Sequence, residues 1–236
     1  MMPQKDYRFQ SPLRVFEKAI EGGVGRGNIG VVLSRPGVGK TAFLVGVAVD
    51  ALLQGRKVMH ISTEESVEKL RAFYDEIFGL MVENSQLDNK LQRQLDLERN
   101  RQILVFNRKD FSLEKLEQSA SFLREIAHFA PDVLIMDGTP RFEQTERWEV
   151  EGVRDLARKW NAEIWTASKT HREGQELDAR GVPLEVTRYD DLLEVIIYLE
   201  PENDHVRVRI LKDHDKAEAP EVKMELDPKT LLLRWR

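Results

Sequence analysis

The chain has 236 residues, of which 41% are hydrophobic and 33% are charged, and it contains no cysteine. These values are typical of a globular chain with one domain over residues 1–236, and they exclude disulfide bonds and cysteine-based metal sites. The net charge of −5 argues against a protein that mainly coats nucleic acid, because neutralising phosphates requires a basic surface.

The N-terminal residues 1–9 have no apolar run of the kind found in a secretory signal. The longest apolar stretch, residues 42–53, is interrupted by Asp50 and is shorter than the ~18 residues that suggest a membrane span. We therefore expect a cytoplasmic protein without a membrane segment.

After a lead-in at residues 1–21, short apolar runs alternate with helical patterns through two thirds of the chain. This alternation predicts a mostly parallel central sheet with helices on both faces. The predicted strands are 29–33, 57–62, 102–106, 132–136 and 162–167, and the predicted helices are 41–54, 67–78, 113–129 and 147–160.

The last third changes pattern, because its apolar runs are separated by turns too short for crossover helices. It predicts an antiparallel extension of the sheet, with strands at 192–200, 206–211, 222–226 and 231–235. Residues 83–101 are highly charged, so we predict an exposed helical insertion there. The predicted fold class is α/β.

Residues 34–41 read Ser-Arg-Pro-Gly-Val-Gly-Lys-Thr and lie between the first strand and the first helix of this alternation. Glycines let the main chain curl around phosphate oxygens, and the following helix presents its positive end to them. Lys40 is expected to reach the β- and γ-phosphates of ATP, and the Thr41 hydroxyl to bind Mg²⁺. The predicted phosphate-binding residues are Ser34, Arg35, Pro36, Gly37, Val38, Gly39, Lys40, Thr41 and Ala42.

Ser34 stands where this loop motif usually has its first glycine. A serine can still make the turn if its φ stays negative. We therefore interpret the loop as intact.

Acidic residues end two further strands of the pattern. Asp137 is placed to hold Mg²⁺ through water beside Thr41. Glu64 and Glu65 end the second strand, where a carboxylate can orient and deprotonate a water, although either could instead only open the next helix. We favour Glu64 as the catalytic residue and Glu65 as an auxiliary one.

Four segments together resemble the RecA-type core shared by KaiC-like ATPases, RadA and the C-terminal domain of the helicase DnaB. They are Gly22-Gly23, Arg26-Gly27-Asn28, the loop from Arg35 to Phe43, and Ser62 to Ser66. The resemblance runs from about Gly22 to the C-terminus. It implies a RecA-like P-loop NTPase fold, Glu64 as the water-activating residue, and a homo-oligomer such as a hexameric ring with ATP between subunits.

The chain departs from that family at two positions. Lys169 stands where the family often has a glutamine that senses the γ-phosphate. Lys212 matches the lysine of a K-x-R pair that reaches into the neighbour's site, but His214 replaces the arginine. Because an arginine finger contributes about 10³–10⁵ in rate where it is known, slow hydrolysis is expected.

These observations predict a Mg-ATP-binding ATPase with low turnover that couples nucleotide state to self-assembly or to an unidentified protein partner. One alternative is a DNA-dependent ATPase of the DnaB or RadA kind. In such a protein, the charged and turn-rich segment 169–186 would be the DNA-facing region. The alternative is not favoured, because Arg172, Arg180 and Arg188, in and beside this segment, are offset by Glu173, Glu176, Asp178 and Glu185. A second alternative is an ATP-binding scaffold that does not hydrolyse.

Overall fold

The computed structural model of the protein describes residues 12–20, 22–85, 89–170 and 176–235. Within these ranges, nine strands form one sheet. They are β1 (Ile29–Ser34), β2 (Val58–Ser62), β3 (Arg101–Val105), β4 (Val133–Asp137), β5 (Glu163–Lys169), β6 (Val195–Pro201), β7 (Val206–Asp213), β8 (Met224–Leu226) and β9 (Leu233–Trp235).

The helices of these ranges cover both faces of the sheet. They are α1 (Pro12–Ala19), α2 (Lys40–Leu53), α3 (Val67–Ser85), α4 (Lys90–Asn100), α5 (Leu113–Ala127), α6 (Arg147–Trp160) and the short α7 (Leu184–Thr187), which a 3₁₀ turn at Asp190–Leu192 follows. No helix in the described ranges is long and apolar enough to cross a membrane.

The strand order is β3-β2-β4-β5-β1-β6-β7-β8-β9. The strands from β3 to β6 in this order pair in parallel, whereas β6, β7, β8 and β9 pair antiparallel. This arrangement confirms the predicted fold class, a mostly parallel α/β sheet with antiparallel strands at its C-terminal end.

Successive residues of β1 contribute to two separate cores, because side chains along a strand alternate between the faces of the sheet. Val32 belongs to the core under α1 to α4, and Val31 to the core under α5 and α6. Helix α2 is apolar on almost every side and is buried from Ala42 to Leu52. Such a helix must be covered by neighbours, which here are the sheet, α3 and α4.

Helix α1 lies in residues 1–21, where the sequence predicts only a lead-in. Its Phe16 is fully buried, and the ring centroid lies 6.3 Å from that of Phe43 and 6.5 Å from that of Trp165. The lead-in therefore contributes a helix to the core.

Some element bounds differ from the prediction. Helix α3 continues to Ser85 rather than ending at 78. Strand β6 begins at Val195 rather than at 192, which is the last residue of the 3₁₀ turn. The segment 83–101 is helical at residues 83–85 and 90–100, whereas Arg101 begins β3, and the segment is not wholly exposed. Leu97 is 2% exposed and packs in the core, whereas Leu91 is 72% exposed.

Candidate active site

The candidate site lies at the edge of the sheet where β1, β2, β4 and β5 end. These strands are parallel, so their carboxyl ends lie at the same edge. In the sheet register Ser34 is opposite Lys169, and Ser62 is opposite Asp137. The fold therefore gathers predicted site residues from four separate segments of the chain.

The loop between β1 and α2 makes a tight turn into the helix. Gly39 has a φ of 114°, and a Cβ built on it would lie 2.9 Å from a methyl carbon of Leu226. A larger residue is therefore disfavoured both by the backbone and by the neighbour. Ser34 is buried and is not among the described residues with positive φ, as the intact loop requires.

The ammonium group of Lys40 is held by the loop itself. Its Nζ lies 3.2 Å from Ser34 Oγ, 3.3 Å from the Ser34 carbonyl oxygen and 3.2 Å from the Arg35 carbonyl oxygen. Burial lowers the pKa of Lys40 to about 8, and the positive charge of Lys169 adds to this effect. A bound anion would therefore stabilise the charged form of this lysine.

The side chains of Thr41 and Asp137 meet behind the loop. Thr41 Oγ1 donates a hydrogen bond of 2.8 Å to Asp137 Oδ2, and Asp137 is only 3% exposed. Burial raises the pKa of Asp137, and the carboxylates of Glu64 and Glu65 add to the rise. A hydroxyl beside a buried carboxylate fits Mg²⁺, which prefers oxygen ligands and takes few of them from the protein.

The structure places the two neighbouring glutamates differently. Both backbone N–H groups donate to Ser62 Oγ, at 3.2 Å for Glu64 and 2.9 Å for Glu65. The Glu65 carboxylate then turns to Lys69, 2.7 Å away, whereas Glu64 lines the pocket at the sheet edge. Only Glu64 of the two is therefore positioned to contact a ligand in that pocket.

This pocket has a volume of about 250 Å³. The buried hydroxyl oxygen of Thr170, in its wall, has no hydrogen-bond partner among the described residues, so a polar ligand could satisfy it. The pocket is lined by Pro36, Lys40, Glu64, Asp137, Gly138, Pro140, Arg141, Glu143, Ala167, Ser168, Lys169 and Thr170.

The remaining predicted loop residues lie around the pocket rather than in its wall. Arg35 and Gly37 are exposed. Ala42 is buried in the core under α1 to α4, and Val38 is partly buried against that core. Backbone N–H groups, not these side chains, are what a phosphate-binding loop offers.

Two arginines that no sequence motif indicates contact Glu64. Its Oε1 lies 2.7 Å from Lys169 Nζ, 2.8 Å from Arg108 and 3.4 Å from Arg141. Partial burial alone would raise the pKa of Glu64, but the hydrogen bonds and charges of these three cations outweigh it and lower the pKa. Glu64 is thus an ionised carboxylate surrounded by positive charge.

Gly138 determines how closely Glu64 can lie to the backbone after β4. It has a φ of 87°, and a Cβ built on it would lie 2.5 Å from Glu64 Cγ and 2.7 Å from Thr63 Oγ1. Real Cβ contacts are not this short, so a side chain at 138 would displace Glu64.

Lys212 lies in β7, at the edge of the sheet opposite the pocket. Strand β7 runs antiparallel to β6 and ends where β6 begins, with Asp213 opposite Val195, which is the far edge of the sheet from the pocket. Lys212 is 11% exposed, donates to the Asp190 carbonyl oxygen and lies 3.5 Å from its carboxylate. It does not join the pocket of its own chain, and its predicted role in a neighbour's site stays a prediction.

The sheet topology, the loop after β1 and the acids that follow β2 and end β4 define a RecA-like α/β fold with a phosphate-binding loop sequence at its carboxyl edge. The chain is similar to the DNA repair protein RadA of Streptococcus pyogenes serotype M6, with 23% identity over 210 residues, which are 87% of this chain and 40% of that protein. It is also similar to RadA of Chlamydia trachomatis, with 26% identity over 142 residues, 58% of this chain and 25% of that protein.

The matched region spans about two fifths of the length of the S. pyogenes relative. No protein-family model matches the chain. RadA is one of the three groups that the motifs resemble, while the likeness to KaiC-like proteins and DnaB stays a resemblance of motifs.

Proposed function

We propose that the protein binds Mg-ATP at the carboxyl edge of the sheet and hydrolyses it slowly, and that it couples nucleotide state to self-association or to a protein partner. One observation carries the proposal: Lys40 at the start of α2, Glu64 after β2 and Asp137 at the end of β4 line a single pocket beside the loop. The similarity to RadA supports it.

In the proposed reaction, the loop N–H groups and Lys40 bind the phosphates, and Glu64 orients a water. The water oxygen bonds to the γ-phosphorus while the bond from phosphorus to the bridging oxygen breaks. That electron pair leaves on ADP, and a water proton passes to the Glu64 carboxylate. Mg²⁺, held by Thr41 and through water by Asp137, would neutralise phosphate charge.

The contacts of Glu64 support a slow rate. A carboxylate that is paired with three cations accepts a proton poorly, because protonation would break those pairs. The absence of an arginine at position 214 acts in the same direction if subunits meet there.

The similarity to a DNA repair protein favours a second candidate, a DNA-dependent ATPase. The described arginines of the predicted DNA-facing region are already engaged, however. Arg180 pairs with Asp178 at 2.7 Å and Asp190 at 2.9 Å, and Arg188 donates to the Phe142 carbonyl oxygen. Arg172 lies outside the described residues.

A turnover assay with Mg-ATP separates these functions when it is run across a protein concentration series, with and without single-stranded DNA. We expect a low turnover per subunit that rises with protein concentration and does not change when DNA is added. We also expect Lys212→Ala to lower this turnover more than it lowers ATP affinity. Strong stimulation by DNA would favour the second candidate. ATP binding without turnover would identify a scaffold, and no ATP binding would contradict the proposal.

The pH dependence of ATP affinity gives a test at Lys40. The ammonium is the binding form and its pKa is lowered to about 8 in the free protein, so ATP affinity should be nearly constant below about pH 7 and fall as the pH rises through 8. Between pH 7 and pH 9 the loss should be about tenfold. Lys40→Arg is the control, because a guanidinium stays charged throughout. Calorimetry that finds equal slopes for both proteins would contradict this assignment.

A further inference from the structure

Arg141 lies on a loop whose backbone is anchored on both sides. Before it, Thr166 Oγ1 donates a hydrogen bond of 2.8 Å to the Thr139 carbonyl oxygen. After it, Phe142 is fully buried and its ring centroid lies 5.4 Å from that of Tyr189. The position of the Arg141 backbone beside the pocket is therefore fixed by the core, which leaves only its side chain to move.

The guanidinium of Arg141 is held more loosely than the other two cations on Glu64. Its distance to Glu64 Oε1 is 3.4 Å, against 2.7 Å for Lys169 and 2.8 Å for Arg108. Its side chain is 31% exposed and lines the pocket together with Lys40, whereas Arg108 does not line it. Arg141 is thus a cation that is bound weakly to Glu64 and whose side chain reaches directly into the pocket.

We propose that Arg141 is a catalytic residue that acts within its own chain, by leaving Glu64 for the γ-phosphoryl group of ATP as that group transfers to water. This inference rests on the proposed ATPase function. A guanidinium binds phosphate oxygens through two parallel hydrogen bonds. The contact between Arg141 and the Glu64 carboxylate, at 3.4 Å, is weaker than such a pair. On the phosphate it would neutralise the charge that develops as the phosphoryl group transfers.

The same movement changes Glu64. Without Arg141, the carboxylate has one fewer cation to stabilise its charge, so it becomes a better acceptor for the proton of the attacking water. Bonds form and break as described above, with the electron pair leaving on ADP. Arg108 then has a different role: it stays on Glu64 and is a positioning residue.

The first experiment compares Arg141→Ala with wild type and with Arg124→Ala, which removes an exposed arginine of α5. We expect kcat of Arg141→Ala to fall about 100-fold, with ATP affinity changed by less than about threefold and partial rescue by added guanidinium. Arg124→Ala should match wild type. Binding of Mg-ADP with aluminium fluoride, which mimics the transferring phosphoryl group, should be lost in Arg141→Ala while binding of Mg-ADP alone is kept.

A mixing experiment tests whether Arg141 acts within its own chain. Subunits carrying Arg141→Ala are mixed with subunits carrying Lys40→Ala; no activity should return, because no subunit has both residues. Recovered activity would mean that Arg141 acts on a neighbour, and would overturn the assignment.

Normal kcat and normal fluoride-complex binding in Arg141→Ala would also overturn the inference, while leaving the proposed function in place. If wild type binds Mg-ATP but does not turn it over, the binding of the fluoride complex decides whether Arg141 has the proposed role. Failure of wild type to bind Mg-ATP would instead remove the proposed function and this inference together.

Discussion

Replacing Lys40 by alanine is expected to weaken Mg-ATP binding about 100-fold. The loss corresponds to about 3 kcal/mol, the upper range for a hydrogen bond to a charged group. Among the described residues, the ammonium has only carbonyl and hydroxyl oxygens within hydrogen-bond distance, at 3.2 to 3.3 Å, so phosphate oxygens would be stronger partners. Isothermal titration calorimetry at pH 7 measures the change.

The matched control is Lys69→Ala, which removes the same charge from α3, where the lysine pairs with Glu65 outside the pocket. Its ATP affinity should stay within about twofold of wild type, since surface pairs contribute little. Thermal unfolding checks that Lys40→Ala is still folded. Unchanged affinity in a folded Lys40→Ala protein would contradict the site assignment.

The parallel strands could be predicted from the sequence because strands buried on both faces are continuous apolar runs. β1, β2 and β4 are buried at every position. The phosphate loop could be predicted because its residues are contiguous and lie between a strand and a helix. Glu64 and Asp137 could be predicted as site residues for the same reason, because each lies at or just after the end of one apolar strand.

Helix α1 was missed although its pattern was present. Leu13, Phe16 and Ile20 are spaced by three and four residues and are all buried, but the helix has only eight residues, too few to stand out without its neighbours. The cations on Glu64 could not be predicted in the same way. Arg108 follows β3 and Arg141 follows β4, so their convergence depends on the strand order, with β2 between those two strands.

The contrast between Glu64 and Glu65 is the sharpest test of the chemistry. Glu64→Gln should lower kcat by about 10²–10⁴, because the amide cannot accept the water proton. ATP affinity should be kept or increased, since Lys169 and Arg141, which line the pocket, lose their carboxylate partner and their charge becomes available to the phosphates.

Glu65→Gln removes one negative charge at the adjacent position and is the matched control. Its carboxylate pairs with Lys69 outside the pocket, so kcat should stay within about threefold of wild type. Single-turnover and steady-state rates, measured with ATP affinity for both variants, separate binding from chemistry. If Glu65→Gln abolished turnover and Glu64→Gln did not, the two roles would have to be exchanged, and the three cations on Glu64 would then be a structural cluster rather than part of the reaction.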